Sequence, residues 1–557
     1  MGNKYSAIIF FLLALGLSAA LGTMIYLITL LANDNVAPVE HYSTCDVFCQ
    51  GPILHTIQNA HIFNDSKEFV DMPLKVTPEE VLKAFEELPN YGKKTLEAFV
   101  NKYFLPAGSD LEKVSPSDFQ DVPQTLHLAL NGNKYYDWAL DLNLIWKSLL
   151  RQPKVEDPNR HTLLPWKNPV VIPGGRFRES YYWDTYWIIL GLLKCDMKET
   201  AKGLVLNFLD SIRDNGFIPN GARIYYLTRS QPPFLAEMIS ELYAADAISK
   251  EFLLDSLPVL ESEHHFWMNE TRKALINGHS LTKYTGGEDN TPRPESYRED
   301  LETAAENIRP DGEVFIDLRA GAESGWDYTT RWFKNGSPSI NDIDTTNVVP
   351  VDLNIILLRY ERFLEKTFRD FGNSKKANEY EAFANARETA IETVLWDESK
   401  SIWRDWRLRE GKWSNIISVA NFLPLWAGLG TVGERKQSIL KALNESGLVR
   451  IGGVATTNVD SGQQWDGDNA WPPLQDLIVE GLLEGGDKEG KEMAIEIVKN
   501  WLESGYLAWK KDGAMIEKYL ASKPGVGGGG GEYEVQLGFG WTNGVALKMM
   551  VKFSEYL

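Results

Sequence analysis

Residues 173–187 read PGGRFRESYYWDTYW, and an apolar run from Trp187 to Leu193 follows at once. The segment places two arginines, two acids and several aromatic rings around a Gly-Gly turn. A polar, ring-shaped ligand such as a sugar needs these groups, because its apolar faces stack on aromatic rings while its hydroxyls bond to Arg, Asp and Glu. We therefore expect a binding loop that ends in Trp183 and Asp184 and leads into a helix.

Helical periodicity continues along the rest of the chain. Residues 77–80 are typical of a helix start. Thr77 suits the N-cap position, Pro78 suits the first helical position, and Glu80 suits the capping-box position. Apolar residues then recur at three-to-four spacing, and they do so again in 235–242 and 353–364. Strand-like runs are few and short, so the sequence predicts an all-α fold, a toroid whose polar loops gather at one end.

Size and charge narrow the possible classes of function. The 557-residue chain carries 57 Lys and Arg against 77 Asp and Glu, which gives a net charge of −20. Such an acidic chain repels polyanions, so we expect no nucleic-acid partner. No linker or break in composition divides the later part of the chain, which predicts one large domain over residues 45–557.

The N-terminus predicts a membrane anchor. Residues 7–32 carry no charge and are rich in Leu, Ile and Phe, which is enough for a helix that crosses a bilayer. Lys4 precedes this segment and Asp34 follows it, so the positive-inside tendency puts residues 1–6 in the cytosol. A stalk at 33–44 and the large domain would lie outside, as in a single-pass type II membrane protein. The alternative is a long signal peptide whose cleavage gives a secreted protein.

Two further features agree with an extracellular or lumenal location. Asn64, Asn269 and Asn444 each begin a glycosylation sequon, which predicts a glycoprotein if these sites are exposed. Cys45 and Cys49 have a spacing that could close a small disulfide loop in an oxidising compartment.

The remaining cysteine and the paired histidines do not predict a metal site. Cys195 lies in the apolar-looking segment 192–195, where we expect a buried and inert thiol. His264 and His265 are expected at the surface or in a loop, and no spacing of Cys and His in the chain matches that of a metal centre.

Two acidic residues stand out by their surroundings. Asp327 ends the segment RAGAESGWD at 319–327, beside an indole that would desolvate it and raise its pKa, as a general acid requires. Glu517 precedes the glycine run 527–531, which suits a mobile or close-fitting backbone near a ligand. Taken alone, a Trp-Asp pair on a loop is more often structural than catalytic, Glu517 is typical of a solvated charge at a helix edge, and the glycine run is typical of a linker. No Gly-Lys-Ser/Thr follows the run, which excludes a phosphate loop.

These segments, together with QWDGDNAWPP at 464–473, resemble the signature segments of the trehalase family of glycoside hydrolases. The resemblance extends from Cys45 to Val545. It implies an (α/α)6 barrel that needs no metal or cofactor and that hydrolyses trehalose with water to two glucose molecules. It also implies inversion of configuration, with Asp327 as the general acid and Glu517 as the base that activates water. Their carboxyls should then lie about 6.5 to 9.5 Å apart.

The same resemblance implies a set of substrate-binding residues. The set consists of Arg176, Trp183, Asp184, Asn220, Arg229, Ser230, Gln231, Arg293, Glu295, Gly325 and Glu532. Arginines offer forked donors and acids offer acceptors to neighbouring hydroxyls of a sugar. For any single arginine, a structural salt bridge is an equally good explanation.

One position departs from the family pattern. Asp468 stands in the segment 464–473 where the family usually has a proline. The absence of the proline ring leaves φ less restricted and adds a charge, so we expect a more mobile loop. Trp465 and Trp471, on this loop, are expected as walls of the sugar site.

Two rival functions share many of these features. A glucosidase that acts on the end of a glucan or oligosaccharide would use the same two carboxyls in a more open cleft, and a comparison of trehalose with maltose would identify it. A catalytically silent sugar receptor would not need both carboxyls, and it would bind sugar without releasing glucose.

Overall fold

A computed structural model of the protein describes residues 44–306, 309, 312–334, 336–531 and 536–557. The predicted cytosolic tail and membrane anchor lie outside the described residues, as does the predicted stalk up to residue 43. Within the described ranges, no helix combines the length and the apolar character that crossing a bilayer requires. The described residues belong to one compact unit.

Helices dominate the structure, as the periodicity of the sequence predicts. They are α1 Cys45–Phe48, α2 Pro52–Asn59, α3 Ser66–Val70, α4 Pro78–Glu86, α5 Lys93–Tyr103, α6 Gln124–Leu130, α7 Tyr136–Leu149, α8 Asp184–Lys194, α9 Lys198–Asn215, α10 Leu235–Ala244, α11 Lys250–Trp267, α12 Tyr297–Ala305, α13 Glu313–Glu323, α14 Val351–Asp370, α15 Ser374–Ala390, α16 Gly433–Glu445, α17 Pro472–Leu483, α18 Lys488–Asp512 and α19 Gly540–Lys552. Short 3₁₀ turns connect many of them.

The helix starts that the sequence indicates are found in the structure. Thr77 and Glu80 form the capping box of α4, with Pro78 at its first position. Because the Thr77 hydroxyl accepts from the Glu80 N–H and the Glu80 carboxylate accepts from the Thr77 N–H, two backbone donors at the helix end are satisfied. Helix α8 begins at Asp184, directly after Trp183, as the binding-loop hypothesis requires.

The strands are short and serve mainly to connect loops. They are β1 Leu111–Lys113, β2 Leu150–Pro153, β3 Val170–Val171, β4 Lys273–Ile276, β5 His279–Thr282, β6 Val348–Val349, β7 Trp396–Asp397, β8 Ile402–Trp403, β9 Trp406–Arg407, β10 Lys412–Trp413, β11 Val449–Arg450, β12 Gly453–Val454, β13 Asn469–Ala470 and β14 Tyr519–Leu520. Strands β13 and β14 pair antiparallel, with Asn469 opposite Leu520 and Ala470 opposite Tyr519. This ladder joins the segment 464–473 to the segment that carries Glu517.

Helices α8 and α19 cross with their backbones in contact. A Cβ atom added to Gly191 would lie 2.5 Å from the Cα of Gly544, so a side chain at either position would push the helices apart. The N-terminal ends of the same helices also meet, because the rings of Trp183 and Trp541 have centroids 5.9 Å apart. The two glycines therefore bring the start of α8, with Asp184, next to the start of α19.

Helices α1 to α5 enclose an apolar cluster of their own. This cluster includes Phe69 and ends against Tyr181 and Tyr226. Beside it, the buried Lys67 ammonium lies 2.8 Å from the Glu179 carboxylate. A buried ion pair is costly to break, because the remaining charge would lose its partner in a low-dielectric interior. The N-terminal helices are thus fixed against the loop that precedes α8.

The cysteines are arranged as the sequence predicts. Cys45 and Cys49 form a disulfide. Cys195 is a free and fully buried cysteine, and burial raises the pKa of its thiol to about 12. Because the thiolate is the reactive form, this residue is inert at neutral pH.

The expectation for the paired histidines is only half correct. His265 is exposed, whereas His264 is buried on the inner side of α11. The imidazole Nε2 of His264 lies 3.1 Å from the Glu361 carboxylate, and this buried polar contact explains why the residue turns inward. The prediction of a surface or loop position is therefore wrong for His264.

Glu263 on α11 should make stability depend on pH. Burial raises the pKa of its carboxyl to about 7, against the hydrogen bonds that Tyr182 and Tyr360 donate to it. An unfolded glutamate titrates near pH 4.5. The folded state therefore holds an extra proton between about pH 4.5 and 7, so stability is lost as the pH rises through that window and is fully present below it.

In the wild-type protein the free energy of unfolding should fall by an amount on the order of 3 kcal/mol across this pH window. In the Glu263→Gln variant this fall should disappear, because the amide does not titrate. Urea midpoints of both full-length proteins, measured at intervals from about pH 4.5 to 8, check this expectation. Equal dependence of the two midpoints on pH would contradict it.

Candidate active site

A cavity collects side chains from segments that lie far apart in the sequence. The space between these side chains, together with the solvent at its mouth, is about 640 Å³. The predicted residues that line it are Arg176, Trp183, Asp184, Asn220, Arg229, Gln231, Arg293, Glu295, Gly325, Asp327 and Glu517, with Trp465 and Trp471 as walls. The segments that carry the family resemblance therefore converge on one site.

Among the predicted binding residues that the structure describes, Ser230 is not part of this lining. Ser230 is fully buried; its hydroxyl donates to a main-chain carbonyl at 2.7 Å and its N–H donates to Glu323 at 3.0 Å. These bonds fix the loop that carries Arg229 and Gln231, so Ser230 supports its neighbours and is not placed against a ligand. Glu532 lies outside the described residues.

Asp327 reaches the cavity from the loop after α13. Its main-chain carbonyl accepts a hydrogen bond from the side-chain amide of Gln464. The neighbouring Trp326 is buried and stacks on Trp465, with ring centroids 5.3 Å apart. Trp465 stacks in turn on Trp471 at 3.7 Å. The indole next to Asp327 is thus the end of a continuous aromatic wall.

Glu517 lies two residues before strand β14 and is buried. Its N–H donates to the Gln536 carbonyl at 3.0 Å, and its own carbonyl accepts from the Trp541 indole N–H at 3.0 Å. Its carboxylate lies 3.2 Å from the Lys518 ammonium. Glu517 is therefore a buried and fixed carboxylate of the cavity, which excludes the alternative of a solvated surface charge.

Asp184 is a third carboxyl in the same cavity. Burial raises its pKa well above the ordinary value, and the charges of Glu517 and Asp327 add to this rise, against hydrogen bonding from its own N–H. Carboxyls that influence one another in this way cannot all be ionised without a large cost. The cavity therefore favours a state in which a protonated carboxyl and an ionised carboxylate are present together.

Each arginine of the lining is oriented by a carboxylate. The closest nitrogen–oxygen contacts are Arg176–Asp65 at 2.6 Å, Arg229–Glu295 at 2.7 Å and Arg293–Asp300 at 2.6 Å. Burial works against ionisation of Glu295, but the charges of Arg229 and Arg293 outweigh it and hold the pKa of this carboxyl below its usual value. Structural pairing and sugar binding are compatible here, because a paired guanidinium has further N–H donors for a ligand.

Asp468, the departure from the family pattern, is anchored by its carboxylate. The carboxylate accepts from both the N–H and the hydroxyl of Ser522 and pairs with Arg450 at 2.6 Å. The Asp468 carbonyl also accepts from the Ala521 N–H at 2.8 Å. A proline has no carboxylate, so these contacts supply a restraint on the loop that a proline ring would supply through φ.

The glycine run 527–531 is bonded to the site and is not a free linker. The Asn469 side chain donates to the Gly529 carbonyl at 2.8 Å and accepts from the Gly529 N–H at 3.1 Å. A Cβ atom on Gly528 would lie 2.4 Å from the Asn469 side-chain oxygen. The absence of side chains therefore allows the run to pack against strand β13.

Several aromatic side chains of the lining were missed by the sequence analysis. They are Phe177, Tyr181, Tyr226, Phe539 and Trp541. Two of them, Phe177 and Tyr181, stand in the segment 173–187, two others follow the glycine run 527–531, and the fifth lies three residues before Arg229. Aromatic residues in those segments were the available signal, but the direction in which a loop side chain points cannot be deduced from its sequence.

Known proteins are similar to this chain over most of its length. The family model Trehalase matches residues 61–554. Human trehalase is 39% identical over 532 residues, which cover 92% of this chain and 90% of the human protein. Trehalase from Apis mellifera is 38% identical over 544 residues, which cover 94% of this chain and 86% of the bee protein.

Among solved structures, the neutral trehalase from Saccharomyces cerevisiae matches with a TM-score of 0.58 and 25% identity, covering 70% of this chain and 74% of the yeast chain. The range matched by the family model contains all the residues that line the cavity. The resemblance inferred from the sequence segments is therefore confirmed, and the chain belongs to the trehalase family of glycoside hydrolases.

Proposed function

We propose that the protein hydrolyses trehalose to two glucose molecules with inversion of configuration. Asp327 donates a proton to the oxygen that joins the two sugars, and this oxygen leaves with one glucose. Glu517 takes a proton from a water molecule, which attacks the anomeric carbon of the other glucose from the opposite face. The positive charge that develops on the sugar is stabilised in a cavity lined by carboxyls.

One observation carries this proposal. Asp327 and Glu517 are remote in sequence, yet both line the same cavity. Burial raises the pKa of the Asp184 carboxyl, and the charges of both residues raise it further. An acid and a base for glycoside hydrolysis must meet in one enclosed site in this way. A carboxyl separation of about 6.5 to 9.5 Å, which leaves room for the attacking water, belongs to the proposal.

The arginines and aromatic walls are proposed to hold the two glucose rings. Arg176, Arg229 and Arg293 would donate to sugar hydroxyls, while Trp183 would cover an apolar ring face. Asn220, Gln231, Glu295, Gly325 and Asp184 complete the proposed binding set within the described residues.

Proton NMR of the first products tests the mechanism. Inversion at one anomeric carbon of α,α-trehalose gives one β-glucose and one α-glucose, whereas retention gives α-glucose from both halves. We expect equal initial amounts of the two anomers. Parallel assays with maltose identify a glucosidase of wider specificity if maltose is cleaved faster, and binding of trehalose without glucose release would indicate a receptor.

The Gly325→Ala variant should lose activity because of a contact with Trp183. Gly325 has a φ of +76°, and an added Cβ atom would lie 2.7 Å from the indole ring. The ring lines the cavity and must move, so kcat/KM for trehalose should fall at least about tenfold, since a displacement of about 1 Å in a site can cost about 100-fold.

Gly372→Ala is the matched control for that variant. Gly372 has a φ of +83°, and no atom of the described residues lies within 4 Å of its added Cβ, so this substitution introduces backbone strain alone. Steady-state kinetics and thermal unfolding of both variants separate the two effects. If Gly325→Ala were as active as Gly372→Ala, contact with Trp183 would not determine activity.

We also propose that the helices form an (α/α)6 barrel and that residues 7–32 anchor it in a membrane with the catalytic domain outside the cytosol. The likeness to the yeast enzyme supports the barrel. The disulfide at residues 45 and 49 and the exposed side chains of Asn64, Asn269 and Asn444 support the location. Glycosidase digestion and alkaline extraction of membranes that contain the full-length protein test it. A released and unglycosylated protein would favour another location.

A further inference from the structure

We propose that Lys518 is a positioning residue that holds Glu517 in place relative to Asp327, acting through Gln464. The inference rests on the proposed function, because it takes Glu517 and Asp327 as the base and the acid. Neither Lys518 nor Gln464 is among the residues that line the cavity. Any effect of these two residues on the reaction must therefore be transmitted through their neighbours.

The Lys518 ammonium is fully buried and has polar partners on two sides. Its Nζ atom lies 3.2 Å from a Glu517 carboxylate oxygen and 3.2 Å from the Gln464 side-chain oxygen. It also lies 4.5 Å from the centroid of the Trp471 ring, within the range of a cation–π contact. These groups fix the position of the ammonium, and one of them is the carboxylate of Glu517, the proposed base.

Gln464 continues the connection to the acid. Its side-chain nitrogen donates to the main-chain carbonyl of Asp327, while its side-chain oxygen accepts from Lys518. Its own carbonyl accepts from the Trp471 indole at 2.9 Å and from Asn469 at 2.8 Å, so the glutamine is itself fixed. An unbroken series of contacts thus runs from the backbone of Asp327 to the carboxylate of Glu517.

The cost of burying a lysine makes this arrangement informative. Removing an ammonium from water carries a large desolvation cost, which is offset only by close and well-directed partners. Residues 517 and 518 are adjacent, yet the lysine side chain turns into the protein beside the Glu517 carboxylate. Such a cation restricts the carboxylate to one orientation, and the distance between an acid and a base is what an inverting reaction depends on.

Lys518→Met in the full-length protein tests the proposal, because methionine fills much of the space without the charge. We expect kcat for trehalose to fall about 100-fold, as for a small displacement of a reacting group. KM should stay within about threefold, because the residues that line the cavity are unchanged. Calorimetric titration with a thio-linked trehalose analogue, which cannot be hydrolysed, counts the folded sites and corrects kcat for any loss of them.

Lys436→Met is the matched control. Lys436 is also buried, and its ammonium lies 3.0 Å from the Leu482 carbonyl and 2.5 Å from Asp487, away from the residues that line the cavity. Its replacement should lower the melting temperature and leave kcat unchanged. A fall in kcat in this control as large as that in Lys518→Met would show that loss of a buried ammonium is sufficient, and it would overturn the proposal.

Gln464→Met supplies a second test that holds even if Lys518→Met does not fold. It should also lower kcat, and the double variant should lose no more activity than the more impaired single variant, because both act through one series of contacts. Wild-type kcat in Gln464→Met, or independent losses that multiply, would overturn the proposal. An active Glu517→Gln variant would instead refute the assignment of the base, whereas an inactive Glu517→Gln with an unimpaired Lys518→Met would refute only the positioning role.

Discussion

The Asp327→Asn variant is expected to fold like the wild-type protein and to lose turnover of trehalose by at least about 1,000-fold, within the range that general acid–base catalysis contributes. Asparagine has nearly the shape of aspartic acid, but its amide cannot supply a proton to the leaving oxygen. The backbone carbonyl that binds Gln464 is retained, so the loop should keep its position. Glucose release at saturating trehalose measures the loss, and thermal unfolding measures the fold.

A change of leaving group identifies the role of the missing proton. Fluoride leaves without strong proton donation, so α-glucosyl fluoride should be hydrolysed by Asp327→Asn far better, relative to wild type, than trehalose is. Asp397→Asn serves as the control, because Asp397 is a buried carboxylate that pairs with Arg404 outside the cavity lining. It should cost stability and leave kcat unchanged. Unimpaired cleavage of trehalose by Asp327→Asn would reassign the acid.

The selection of Asp327 and Glu517 shows how far sequence reasoning extends in this protein. Among 77 acidic residues, the indole beside Asp327 and the glycine run after Glu517 draw attention to these two, but only the resemblance of the surrounding segments to the family assigns them as acid and base. Local chemistry was more informative for helix starts, because the capping box of Thr77 and Glu80 requires only residues that are adjacent in sequence. The same reasoning placed Asp184 at the start of a helix.

Contacts between remote segments could not be predicted in this way. The carboxylate that orients Arg176 belongs to Asp65, the N-cap residue of α3. Nothing in the sequence around Asp65 indicates that it pairs with an arginine of the site. The crossing of α8 and α19 depends on Gly191 and Gly544 facing each other, and neither glycine is unusual within its own helix. Pairings of this kind are set by tertiary packing, which local sequence patterns do not encode.

Arg229 and Gln231 line the cavity whereas Ser230, between them, does not, and alternation of side chains along the loop accounts for this difference. Three consecutive residues, Arg229, Ser230 and Gln231, were assigned to one binding set. In an extended loop, successive side chains point in different directions, so a run of three cannot all face one ligand. The structure directs the outer two into the cavity and uses the serine hydroxyl inside the protein.

The Glu517→Gln variant should lose turnover as severely as Asp327→Asn, by at least about 1,000-fold. The amide of glutamine can still accept a hydrogen bond from the Lys518 ammonium, which the glutamate contacts at 3.2 Å. It cannot remove a proton from the attacking water, so the nucleophile remains weak while binding of trehalose is little changed. Glucose release measured beside the Glu263→Gln variant, in which a buried glutamate outside the cavity lining is replaced, separates this loss from a general effect of removing a carboxyl.

A nucleophile that carries its own charge should bypass the missing base. In Glu517→Ala the truncated side chain leaves space beside the substrate, and azide needs no deprotonation before it attacks the anomeric carbon. Asp327 would still protonate the leaving oxygen, so the expected products are one glucose and one β-glucosyl azide, formed at a rate that rises with azide concentration. If azide left Glu517→Ala inactive while Glu517→Gln was also inactive, the carboxylate would act in some way other than by activating water. Because trehalose has the α configuration at both anomeric carbons, a β product also requires attack from the face opposite the leaving sugar, which is the side on which the proposed base must lie.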